Sequence, residues 1–137
     1  MTLAGSVVAY EEFFIGGYGS ERAESRVIVR DLRNGRVLHR VPNGTPPTPE
    51  PGVVGIDNIV SLVLKSDGAV TWIAEDGNTI SPSNPSASVP AYEVEAVDAS
   101  GTRLLASGAE IDPHSLRLAG NTAYWTQDGK TMSTKLN

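Results

Sequence analysis

Cysteine is absent from the 137 residues, so neither a disulfide framework nor a thiolate metal site is available, and the redox compartment cannot be read. Cationic charge is scarce. Eleven Lys and Arg against 16 Asp and Glu leave a formal net charge of -5, whereas a partner held by its phosphates needs clustered cations, so nucleic acid is excluded as an expected partner. The two histidines, His39 and His114, are too few and wrongly spaced for a histidine metal site or an evident triad. No stretch approaches the ~18 apolar residues of a membrane span, and Met1 to Glu11 lacks the basic and apolar regions of a secretory signal. The expectation is a soluble chain with no membrane insertion, no address and an unknown compartment. Gly16-Gly17-Tyr18-Gly19-Ser20 lacks the third Gly, the Lys and the following helix of a phosphate loop, and no Gly-x-Ser-x-Gly elbow occurs. No cofactor or metal is implied, and the residues give no support to an enzyme.

Glycine and proline are plentiful, at 14 and 9, which marks many turns and few long helices and leans the class to β. Three segments share one order: an alternating strand, a Gly turn, a small residue and an aromatic. Ser61-Leu62-Val63-Leu64, Ser66-Asp67-Gly68 and Val70-Thr71-Trp72 form the first full copy. Ser115-Leu116-Arg117-Leu118, Ala119-Gly120-Asn121 and Thr122-Ala123-Tyr124 form the second, and Leu3-Ala4-Gly5 with Val8-Ala9-Tyr10 a truncated third. Two copies continue into another hairpin, Val27 to Asp31 with Asn34-Gly35, and Val94 to Asp98 with Ser100-Gly101; Asn-Gly and Ser-Gly supply the positive φ of a tight turn. Each unit therefore reads as a four-stranded antiparallel meander, its strands lettered A to D. Aromatic to aromatic, Tyr10 to Trp72 spans 62 residues and Trp72 to Tyr124 spans 52, near the ~40 to 50 of blade repeats plus loop insertions.

Alternation places apolar residues on both faces of each sheet: Leu62 and Leu64 on one, Ile59 with Ser61 and Val63 on the other, Val70 and Trp72 opposing Thr71 and Ile73. Such a sheet needs neighbours on both sides. A two-sheet sandwich also accommodates short strands and frequent turns; internal similarity favours β-propeller blades. Ser66-Asp67-Gly68 before Val70-x-Trp72, and Val-x-Val-x-Asp-x-x-x-Gly from Val27 to Gly35, resemble the repeats of TolB-like and WD40-like bacterial β-propellers, and nearly the whole chain resembles the C-terminal part of one. These motifs identify blades and carry no chemistry. Ser66 replaces the usual Pro before Asp-Gly, and the Gly-His and Trp-Asp pair of eukaryotic WD40 repeats is missing. The resemblance makes a secreted or periplasmic parent the natural expectation.

The expected fold is all-β, an incomplete ring of about two and a half blades. A partial blade covers 1-44, a full blade 53-111 and a partial blade 112-137. The expected strands number 3, 4 and 3, with only the tail of A at Leu3-Ala4 in the first unit. A closed propeller needs about four to eight four-stranded blades, so this chain cannot close a ring alone. Either upstream blades or further copies must complete it.

The A-B and C-D turns are short, whereas the B-C connections Phe14 to Ser25 and Asp76 to Pro90 and the D-A connection Pro42 to Gly52 are long. All the length lies on one face, the expected seat of protein or small-molecule binding. The Pro-rich D-A segment reads as a stiff connection, and Asn43-Gly44-Thr45 fits a glycosylation acceptor by a pattern too short to rely on. Ile56-Asp57 and Ile111-Asp112 each precede an inner strand. In a propeller, Asp57 and Asp112 would stand near the channel mouth, where a ring of carboxylates could hold a cation or polarise a ligand; both are also ordinary turn formers. The arginines Arg26, Arg30, Arg33, Arg36 and Arg40 crowd one C-D hairpin, where charge guards an edge strand. Two functions are in view: a non-catalytic binding scaffold, and the C-terminal portion of a propeller hydrolase or lyase whose catalytic residues lie partly in missing blades.

An open array without caps exposes apolar faces at both ends. The sequence thus predicts concentration-dependent oligomers or aggregates in size-exclusion chromatography with light scattering; a clean monomer at every concentration would contradict it.

Overall fold

Apolar and polar residues alternate between glycine turns along the chain, and a backbone so patterned satisfies its hydrogen bonds most economically as antiparallel hairpins. The computed structural model describes residues 1–15, 23–43, 58–75 and 90–137. Among them there is no helix, and eleven strands form three antiparallel meanders, none of which closes on itself. Sheet one holds β1 (Thr2–Ala4), β2 (Val7–Ile15), β3 (Ala23–Asp31) and β4 (Val37–Pro42). Sheet two holds β5 (Asn58–Leu64), β6 (Val70–Glu75), β7 (Tyr92–Asp98) and β8 (Gly101–Gly108). Sheet three has β9 (Arg117–Ala119), β10 (Thr122–Gln127) and β11 (Lys130–Lys135). The expected 3, 4 and 3 becomes 4, 4 and 3 because β1 is a paired strand, with Ala4 opposite Val7. The expected connection Phe14 to Ser25 is shorter than read, since β2 and β3 stay paired out to Ile15 and Ala23.

Sheet two lies between the others. On one side Val70, Trp72, Ala74 and Val97 meet Val7, Ala9, Val27 and Val29 of sheet one. On the other, Ile73 and Val94 meet Trp125 and Ile111, and Ala69 and Ala96 meet Ala123 and Leu136. Trp72 and Ile73 are both fully buried although they point to opposite faces, which happens only when both faces are covered. The approach between sheets concentrates at the first strands, β1 and β2 against β5 and β5 against β9. Thr2 Oγ1 donates to Leu62 O at 3.5 Å, and Ser61 Oγ to Pro113 O at 2.9 Å, across the same junctions.

Three expectations change. A register shift between Ile59 and Ser61 moves Ile59 onto the face of Leu62 and Leu64, where it packs against sheet one, instead of the face of Ser61 and Val63. Trp72 is matched by Trp125, not by Tyr124. The Gly120-Asn121 turn is two residues long, while Lys65 N donates to Ala69 O across a three-residue turn at Ser66-Asp67-Gly68, so the extra residue offsets the alignment by one. Trp125 is accordingly 3% exposed and faces sheet two, whereas Tyr124 faces outward with Arg117 Cζ 5.1 Å from its ring centre. Finally, the ends are not both apolar. The outward face of sheet three carries Arg117, Thr122, Tyr124, Thr126, Thr131, Ser133 and Lys135 by register, a polar end of the kind a cap provides.

The short-turn end is fixed by side chains. Gly68 has φ +98°, a backbone conformation that requires glycine, and it lies against Leu38, whose Cδ1 would be 2.9 Å from an added Cβ. Asp31, at the end of β3, accepts from Arg33 N at 3.0 Å and from Arg33 Nη2 at 2.7 Å. The Arg33 side chain is the main cause holding Asp31 at about 2, below the ordinary 3.8. A depressed carboxyl stabilises the fold above its unfolded value and loses that contribution as pH falls through this range. Asp98, its counterpart on β7, is opposed by burial, which raises its pKa; N–H donation from Asn137 and Ser100 and the charge of Arg103 outweigh this and hold it low. Asn137 N reaches Asp98 Oδ2 at 2.9 Å, and Leu136 N reaches Asn121 O at 2.7 Å, so the last residues tie sheet three to sheet two.

Equivalence of the two tryptophans gives an ordered prediction for urea denaturation. Trp72→Ala and Trp125→Ala should each cost about 3–5 kcal/mol, and Tyr124→Ala about 1 kcal/mol or less. A Tyr124→Ala cost matching Trp125→Ala would contradict the assigned faces.

Candidate functional site

Antiparallel pairing brings the ends of β2, β4, β6, β8 and β10 and the starts of β3, β5, β7, β9 and β11 to one end of the stack, the end with the long connections. Two polar nodes occupy the described part of that end, one at each junction between sheets.

At the first junction, Glu11 of β2 continues the inward series Val7, Ala9, Glu11, a carboxylate placed by alternation beside the core. Its Oε1 accepts from Ser25 Oγ at 2.5 Å, from Ile59 N at 3.4 Å and from Asn43 Nδ2 at 3.5 Å. Asn43 follows β4, is 6% exposed, and also gives Nδ2 to Ser25 Oγ at 3.1 Å while its Oδ1 accepts from Trp72 Nε1 at 2.9 Å. This one amide links β3, β4 and β6. A glycan on Asn43 is incompatible with its burial and with both side-chain bonds, so the glycosylation pattern there carries no function.

At the second junction, Trp125 Nε1 points to Gln127 Oε1 at 3.5 Å, and Gln127 Nε2 donates to Glu110 Oε1 at 3.0 Å. That donation is the leading cause holding the Glu110 carboxyl below its ordinary value. Asp128 N donates to Glu110 O at 3.0 Å, which ties the β10–β11 turn to the connection after β8. Each buried tryptophan thus delivers its indole N–H to a side-chain amide at the same end of the stack.

Of the two aspartates singled out from the sequence, Asp57 lies outside the described residues. Asp112 is exposed. Its Oδ1 accepts from His114 N at 3.0 Å, and its carbonyl accepts from Ser115 Oγ at 2.7 Å, the pattern of an Asx turn that shapes the chain before β9. Ser115 Oγ in turn accepts from Thr126 N at 2.8 Å, fastening this turn to β10. Asp112 thus serves as a turn former, and its placement relative to Asp57 lies outside the described residues. Among the described residues no three His, Cys, Asp or Glu side chains converge as metal ligands. The connections 16–22, 44–57 and 76–89 also fall outside the described residues, and with them most of the face singled out for binding.

Sequence reasoning missed Glu11, Ser25, Glu110 and Gln127, and singled out Asn43 only for a glycosylation pattern. The one local signal was an acidic residue in phase with Val7 and Ala9, which calls for buried partners; their identity depends on register across 48 residues of chain, from Glu11 to Ile59. Comparison with protein-family models, with curated proteins and with solved structures gave no match.

Asn43 is expected to govern the first junction. Asn43→Ala should cost about 1–3 kcal/mol because it strands the Trp72 indole N–H and removes the amide donor shared by Ser25 and Glu11. In a double-mutant cycle with Trp72→Phe, read by urea denaturation, the combined cost should fall short of the sum by about 1 kcal/mol; strict additivity would remove the bond from the account.

Proposed function

We propose that the chain is a non-catalytic β-propeller segment that binds a protein or small ligand through its long-connection end. The observation that carries this reading is the covered middle sheet. Successive meanders stack face to face, and they draw closest at their first strands, β1, β5 and β9, as the inner strands of radially arranged blades do. The matched positions of Trp72 and Trp125 add internal repetition to that argument.

Binding is assigned to the long-connection end because the opposite end is consumed by short turns. There Asp31, Asp67 and Asp98 each accept a backbone N–H two residues on, and these turns offer little surface for a partner. The long end has connections in excess of what hairpins need, set on a base that the two tryptophan nodes hold in place. Catalysis is not part of the proposal: Glu11, Glu110 and Asp112 at this end each accept hydrogen bonds from their own neighbours. Two acidic side chains poised around an open space would have argued otherwise.

The experiment places a photo-crosslinking amino acid at Asp112, on the long-connection end, or at Gly35, on the short-turn end, in cells that make the protein. Discrete adducts from position 112 and none from position 35 are expected. Adducts from position 35 alone, or from neither position, would overturn the assignment.

A further inference from the structure

In sheets one and two the third strand is flanked by a fourth, β4 beside β3 and β8 beside β7; among the described residues β11 has no such neighbour. Its outer edge can be read residue by residue. Asp128 and Gly129, at φ 51° and 70°, make a two-residue turn, so Gln127 and Lys130 are the closing hydrogen-bonded pair of the β10–β11 hairpin. Backbone groups alternate from there, and those of Thr131, Ser133 and Lys135 face outward. Arg103 Nη2, from sheet two, donates to Lys135 O at 3.3 Å, as an outward carbonyl allows. Thr131 and Ser133 are both exposed.

The pairing of β11 with β10 runs through six residue pairs without a register shift, whereas β3–β4 and β7–β8 are each interrupted by one. Bulges and prolines are the usual guards of an open edge, and β11 has neither. It carries instead Lys130 and Lys135, one at each end, and neither forms an ion pair among the described residues. Between them Met132, 41% exposed, lies on the side that faces sheet two, at a place where a further strand would cover it. A second copy is a poor occupant. Across an antiparallel edge outward residues oppose outward residues, and the segment Lys130–Lys135 holds no acidic side chain, so a second copy of β11 brings neither lysine a carboxylate in any register. The fourth strands of this chain, β4 and β8, bring Arg40 and Arg103 and so offer no better match.

We propose that β11 is a docking edge for an extended strand of a partner protein that has acidic residues at both ends of a six-residue, β-prone segment. Recognition is by strand addition: the outward groups of Thr131 and Ser133 supply main-chain hydrogen bonds, and Lys130 and Lys135 select for carboxylates opposite them. This surface is separate from the long-connection end.

The probe is a fluorescein-labelled, end-capped peptide Glu-Val-Thr-Val-Thr-Glu, titrated with the whole chain by fluorescence anisotropy. Saturable binding is expected, and it should be about tenfold weaker for the matching peptide with Lys at both ends. The Lys130→Glu, Lys135→Glu double variant should reverse that preference. Ser133→Pro should abolish binding while the melting temperature stays near that of the parent, because the lost N–H faces outward and the β10 ladder remains intact. Absence of binding by the acidic peptide would overturn the proposal. So would binding that survives Ser133→Pro, or a charge preference that the double reversal leaves unchanged. Should Ser133→Pro unfold the chain, the charge reversal alone decides.

Discussion

The structure depends on the double-sided burial of one sheet. A four-stranded meander with apolar side chains above and below has no stable existence by itself, since either face left to water forfeits roughly 1.5–3 kcal/mol per large side chain. Sheet two escapes that cost because Trp72 enters the surface formed by Val7, Ala9, Val27 and Val29, and because Ile73 and Val94 receive Trp125. Everything else is arranged to keep those two contacts in place. The aspartates on the short turns fix hairpin geometry, and the amides at the opposite end fix the indole rings. The closing residues Leu136 and Asn137 pin sheet three to its neighbour.

Much of the fold was legible because its causes are local. Strand class, turn position and the presence of three repeated units follow from alternation and from Asn-Gly, Ser-Gly and Asp-Gly punctuation. Errors arose where one residue of slippage reverses a face. Ile59 was misplaced because a bulge beyond it leaves no mark in the alternation. Trp72 was matched to Tyr124 because Ser66-Asp67-Gly68 is one residue longer than Gly120-Asn121, and adjacent aromatics at 124 and 125 hid the shift. The polar end face of sheet three was readable in Thr122, Thr126, Thr131 and Ser133, yet only the correct register shows that they share one side.

The candidate site was less legible. Its clearest feature, Glu11 bound to Ser25, Asn43 and Ile59, joins four strands or strand ends that are separated by long stretches of chain. No spacing rule links them. Asn43 drew notice only for a modification pattern, and its actual role is to satisfy a buried indole. Asp112 was read both as a candidate ligand and as a turn former, and the structure shows it accepting His114 N in the turn before β9. Asp31, Asp67, Asp98 and Asp112 accept backbone N–H groups, and Glu11 and Glu110 accept from the amides that hold the indoles. The net negative charge of the chain is partly the by-product of so many turns needing a carboxylate.

The stack also has a direction. Trp72 and Trp125 each lean toward the lower-numbered sheet, and Tyr10 occupies the same position on sheet one, pointing away from both of its fellows. In the language of joinery, every sheet presents a plug on one side and a socket on the other. The sockets of sheets one and two are filled, and that of sheet three is lined with hydroxyls and cations. Sheet three therefore offers the Tyr10 face of another copy no apolar socket of the kind that receives Trp72 and Trp125. Whatever meets Tyr10 in the same manner has to bring a socket of its own.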